Sequence, residues 1–233
     1  MTLSRRVTAE ATGTALLLMA VVGSGIMGER LAGGNIAIAL LANTLATGAA
    51  LVALILTFGP ISGAHFNPAV SFADASQGGL PWSEAAFYVV AQVGGAFIGV
   101  GLADLMFGEP LFAFSQHVRT GPAQMLSEFI ATFGLLSVIW SCSRRQSAVV
   151  PFAVGAYITA AYWFTASTSF ANPAVTMGRA MTNTFAGIRP SDVPGFVLAQ
   201  ALGATSATVL FRWLMPTLPE TADSVVVPHR PSD

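Results

Sequence analysis

Six stretches of the chain are apolar for about twenty residues each, roughly 8–28, 35–58, 84–107, 124–143, 148–168 and 193–215. A bilayer's hydrocarbon core takes about 20 such residues per helix, so the pattern predicts six transmembrane helices. Two shorter apolar segments, about 67–77 and 172–183, are too short to cross. Each opens on the same tripeptide, Asn67-Pro68-Ala69 and Asn172-Pro173-Ala174. An asparagine side-chain oxygen caps free helical N–H groups, and proline suits the first helical position because its missing N–H would be unpaired anyway. The tripeptides therefore predict helix starts at membrane depth, and the two segments read as half-helices. The loops leading to them must line a cavity or be buried in protein, because backbone exposed to hydrocarbon leaves polar groups unpaired.

The two halves correspond at three places. Glu10 with Thr14 pairs with Glu128 with Thr132, an offset of 118 residues. The tripeptides lie 105 residues apart, and the segments around Gln92 and Gln200 lie 108 apart. Each half thus reads as two spans, a half-helix and a span, over 1–115 and 116–215. Three spans per half is odd, so the second half must insert upside down relative to the first, giving an inverted repeat. Broken helices at matching positions of such a repeat point to a central site. Arginine placement orients the chain: Arg5, Arg6, Arg144, Arg145, Arg212 and Arg230 fall inside if both termini are cytoplasmic, against Arg30, Arg119 and Arg189 outside. Residues 216–233, with four prolines, read as a disordered tail.

Composition agrees with a membrane class. Apolar residues make up 54% of the chain and charged ones 9%, with mean hydropathy +0.67, whereas a soluble domain carries about 25% charged residues. A net charge of −1 gives no reason to invoke nucleic acid. The single cysteine, Cys142, excludes an internal disulfide and a multi-cysteine metal site. No catalytic constellation is visible, and no cofactor or metal is implied. Residues 1–28 lack a cleavage pattern and read as the first span rather than a removable signal. Small residues at Gly94, Gly95, Gly99 and Gly101, and at Gly203, Ala204 and Ala207, suit close helix packing.

Ser62-Gly63-Ala64-His65-Phe66-Asn67-Pro68-Ala69-Val70, the second Asn-Pro-Ala, the paired glutamate spans and the paired Ala-Gln segments resemble the aquaporin and glycerol-facilitator family, also called major intrinsic proteins. The likeness covers about residues 7–215. It implies an all-α membrane protein of six tilted helices and two re-entrant half-helices, one pore per protomer, a homotetramer, and residence in the bacterial inner membrane among its lipids. In such a pore Asn67 and Asn172 cap their helices and offer amide donors to a passing solute. Paired positive helix ends oppose cations there. His65 reads either as a pore-wall residue or as a purely structural loop histidine. Glu10 and Glu128 read as anchors, one for each re-entrant loop, in preference to a proton relay, which would need a second acidic partner.

The outer constriction departs from the family. Where the resemblance leads one to expect Arg directly after the second Asn-Pro-Ala, this chain has Val175. Spacing from the tripeptides aligns Thr47, Tyr162, Ser169 and Val175 with the family's four filter residues, with Trp163 as the alternative to Tyr162. Such a filter lacks a fixed charge and a large side chain, and hydroxyl groups line it. It favours uncharged polyhydroxylated solutes over strict water selectivity. Arg179, one helical turn beyond Val175, reads either as a vestibule charge or as an arginine reaching lipid headgroups.

The stretch from Thr165 to Thr176, with Phe185 to Pro194, is similar to bacterial aquaglyceroporins of arsenic-resistance operons. That likeness implies arsenite, a neutral trihydroxide at neutral pH, as cargo beside glycerol and water. Three other readings stay open at this point: an ordinary water channel with a degenerate filter, an active transporter, and a membrane protein with an occluded pore.

Overall fold

A computed structural model describes residues 1–145 and 147–215. Its helices follow one another as α1 (Leu3–Leu31), α2 (Ile36–Ser62), α3 (Pro68–Gln77), α4 (Trp82–Phe107), α5 (Pro122–Arg145), α6 (Val150–Phe164), α7 (Pro173–Arg179) and α8 (Val193–Leu214). Single 3-10 turns precede α6 and α8. Among the described residues the fold is all helical, and five helices are long and apolar enough to cross a membrane. The expected tail over 216–233 and the side chains of Arg144 and Arg145 lie outside the described residues.

Local chemistry sets the element ends. The Asn35 carboxamide oxygen accepts from the N–H groups of Ala37 and Ile38 and starts α2. Gly63 stops α2 in the left-handed region at φ 88°, which costs glycine little.

Two elements are shorter than the apolar pattern predicts. The fifth span, expected over 148–168, is helical only from Val150 to Phe164, fifteen residues. At 1.5 Å per residue it rises about 22 Å, less than a full bilayer core. Its end is set by Thr165, which turns extended at ψ 140°, and by Thr168 and Ser169, which adopt positive φ. The second half-helix, expected over 172–183, ends at Arg179. There the Arg179 and Ala180 carbonyls accept from the N–H groups of Ile188 and Ser115, so they cannot continue the helical ladder.

The most extensive packing is between α1 and α4 in one half and between α5 and α8 in the other. A Cβ at Gly95 or Gly99 would strike the Ala11 or Ala15 carbonyl, and one at Gly203 would strike the Phe129 carbonyl. These glycines let backbones touch where side chains cannot fit. Gly94 faces open space and has no such role. The outward faces remain apolar: Val90, Ile98 and Leu105 on α4, and Leu198, Leu202 and Val209 on α8, are all more than half exposed. Water would penalise such surfaces and lipid tails accept them.

Candidate functional site: the central cavity

Each half-helix begins at a buried asparagine. The Asn67 oxygen accepts from the Ala69 N–H at 2.9 Å, and the Asn172 oxygen accepts from the N–H groups of Ala174 and Val175. The amide nitrogens cross over. Asn67 Nδ2 donates to the Ala171 carbonyl and Asn172 Nδ2 to the Phe66 carbonyl, each at 2.8 Å. The tripeptides therefore meet, and one hydrogen of each carboxamide is spent on the facing loop.

The loops feeding these helices hold non-glycine residues at positive φ: Ala64 and Phe66 in the first, Thr168, Ser169 and Ala171 in the second. Such backbone is strained and persists only where its surroundings determine it. The glutamates supply that constraint. Glu10 accepts from the N–H groups of His65 (3.0 Å) and Phe66 (2.7 Å), from the Ser62 hydroxyl and from the Gln92 amide. Glu128 accepts from the N–H groups of Phe170 and Ala171 and from the Gln200 amide. An isolated buried carboxylate would be very costly. Here each oxygen is engaged by charge-assisted hydrogen bonds. Gln92 also donates to the Ser71 hydroxyl and Gln200 to the Thr176 hydroxyl, tying each glutamate to the half-helix it serves.

A narrow cavity runs past both asparagines. Its walls include His65, Asn67, Asn172 and the hydroxyl-bearing Thr47, Tyr162 and Ser169, together with Val175 and Arg179. Tyr162 is buried and its hydroxyl donates a long 3.4 Å hydrogen bond to Thr47 Oγ1, while Trp163 is half exposed on the outside. The Ser169 hydroxyl is buried and has no partner among the described residues. His65 Nδ1 is 3.0 Å from Ser71 Oγ, and its Nε2 is 3.7 Å from an Asp74 carboxylate oxygen.

Arg179 does not extend toward lipid; it is buried, with 2% of its surface exposed. Its guanidinium carbon lies 3.4 Å from the centre of the Phe170 ring, and its Nε donates to the Ala186 carbonyl. Arg119 reaches the same ring from the α4–α5 loop at 5.1 Å and donates to the Gly187 and Ser167 carbonyls. Burial pulls the Arg119 pKa below arginine's ordinary value. The sequence pattern assigned no place in the site to Phe170, Gln92 or Gln200 and read Arg119 only as an outside charge. Only the repetition of Gln92 and Gln200 at matching distances from the tripeptides hinted at such a place. Among the described residues no group of three or more His, Cys, Asp or Glu could hold a metal ion.

The model of the family described as major intrinsic protein matches residues 1–169, most of the chain. The chain belongs to that family. It is 57% identical over 228 residues to the aquaglyceroporin AqpS of Rhizobium meliloti, spanning 94% of this chain and 97% of that one. It is 32% identical to a probable aquaporin, AqpM, of Archaeoglobus fulgidus, over 92% of this chain and 98% of the relative. In three dimensions it is similar to the aquaglyceroporin of Plasmodium falciparum, with a TM-score of 0.76 and coverage of 93% and 99%. At 20% identity that last likeness speaks to the fold. Membership makes the chain a multi-pass membrane channel for small solutes such as glycerol rather than an enzyme.

Proposed function

We propose that the chain is a passive pore for small uncharged polyols and metalloid hydroxides, arsenite among them, with glycerol and water also passing. The observation carrying this reading is the cavity whose wall holds Val175 together with the hydroxyl-bearing Thr47, Tyr162 and Ser169. A solute with several hydroxyls, such as neutral arsenite or glycerol, exchanges its water hydrogen bonds for those of this ring. Farther in, the amide hydrogens that Asn67 and Asn172 do not spend on the facing loops remain as donors. Helix N-termini oppose cations there. Valine in place of arginine also widens the opening, which disfavours the alternative of a strict water channel.

In this reading the halves over 1–115 and 116–215 insert in opposite senses, Val175 lies toward the outside and His65 toward the cytoplasm. Both termini are cytoplasmic, the membrane is the bacterial inner one, and four copies assemble. Tetramer and membrane assignment rest on family membership. Swelling of proteoliposomes under gradients of water, glycerol and arsenite tests the function. Glycerol and arsenite should both enter without an ion gradient. Water flux with neither solute would overturn the proposal.

A further inference from the structure

Losing the arginine after Asn-Pro-Ala should leave the outer mouth without fixed charge, yet two guanidiniums converge on the ring of Phe170. Among the described residues Arg179 is the one shared by the walls of the central cavity and of a second cavity. Arg119 lines that second cavity too. Among the described residues neither guanidinium forms an ion pair. The nearby carboxylate of Asp192 is taken by the Arg189 side chain and by the backbone N–H of Arg119. Glu29 also lines the second cavity, without pairing to either arginine among the described residues. Arg179 Nη1 has no hydrogen-bond partner there.

Arg179 is also held firmly. The Phe170 ring stacks beneath it, a favourable contact for a desolvated cation, and the Ala186 carbonyl fixes its Nε. Phe170 is itself locked, because its backbone N–H is bound by Glu128. The same glutamate that shapes the re-entrant loop therefore fixes the platform on which the charge rests.

We propose that Arg179, seated on Phe170 and seconded by Arg119, is the cation-excluding charge of this channel, moved outward one helical turn so that the filter at Val175 stays wide. The displacement separates two tasks: hydroxyl-lined walls choose neutral solutes by size and hydrogen bonding, and the arginine pair repels cations before they reach those walls. This assignment rests on the neutral-solute pore proposed above.

The test uses the full chain in proteoliposomes, with sodium conductance expressed per unit of glycerol flux from the same vesicles. Arg179→Gln keeps a donor for Ala186 but removes the charge. It should raise the ratio by about tenfold, a factor that one nearby unit charge supports at the effective dielectric of such a site. Arg179→Lys, which keeps the charge, should stay near the parent. Phe170→Leu, which keeps every charge but removes the seat, should fall between them. A glutamine variant as tight as the parent overturns the assignment, as does a lysine variant as leaky as the glutamine one. If Arg179→Gln yields no glycerol flux, Phe170→Leu decides, and parental tightness there overturns it equally. A parent chain that passes no glycerol at all would instead be a failure of the proposed function.

Discussion

Two residues before Asn67 stands His65 and seven after it Asp74; at the same distances from Asn172 stand Phe170 and Arg179. In both halves the earlier residue contributes a ring and the later one a charge, and the two meet. His65 Nε2 approaches Asp74 at 3.7 Å, and the Arg179 guanidinium lies over Phe170. The supports beneath are nearly identical: Glu10 with Gln92 and Ser71 in one half, Glu128 with Gln200 and Thr176 in the other. One scaffold, used twice, thus holds a buried acid on one half-helix and a buried base on the other. The difference teaches that buried anchors fix the backbone, while the paired positions beside them are free to differ in charge.

Removing an anchor should break the comparison most severely. Glu10→Ala would strand two backbone N–H groups and remove one acceptor each from the Ser62 hydroxyl and the Gln92 amide, and Glu128→Ala would strand two N–H groups and remove one acceptor from the Gln200 amide. At about 1–3 kcal/mol for each stranded group, both variants should lose glycerol flux and the folded peak in detergent chromatography, Glu10→Ala more completely. Equal, intact folding of both would show that the loops hold themselves.

Val175→Arg comes next. It restores the family residue below Arg179 and should cut glycerol entry by about tenfold or more, about 1.4 kcal/mol on the crossing barrier, while water flux falls less. Equal losses would show that filter width is not what distinguishes the second half. A side chain at Gly203 would press on the Phe129 carbonyl. Gly203→Val should therefore lower thermal stability by about 1–3 kcal/mol, whereas Gly94→Ala, in open space, should change it by less than about 0.5 kcal/mol. Tyr162→Phe should also have a small effect. Losing its 3.4 Å bond to Thr47 should cost less than about 1 kcal/mol, read as a slight change in the glycerol-to-water ratio.

Much of this was legible in the chain. Asn-Pro-Ala announces a helix start through capping chemistry that is local to three residues, and α3 runs as the pattern predicts, from Pro68 to Gln77. Glu10 and Glu128 stand out because a carboxylate in an apolar run demands a partner. What was not legible depends on groups far apart in sequence. The early end of α7 follows from Ser115 and Ile188 taking its last carbonyls. The place of Arg179 follows from Phe170 and Ala186, which no helical periodicity relates to it. Arg119 counted only as an external charge until the α4–α5 loop was seen to fold inward, with the His117 carbonyl accepting from the Arg189 N–H.

The crossed amides of Asn67 and Asn172 have a mechanical consequence. Each clasps a carbonyl on the opposite loop, so the waist of the molecule behaves as a fixed gauge rather than a valve. Widening it would unfasten both clasps together and part four polar groups from their present partners. Any opening and closing of this protein is therefore expected at its rims, where loops can move without disturbing that central rivet.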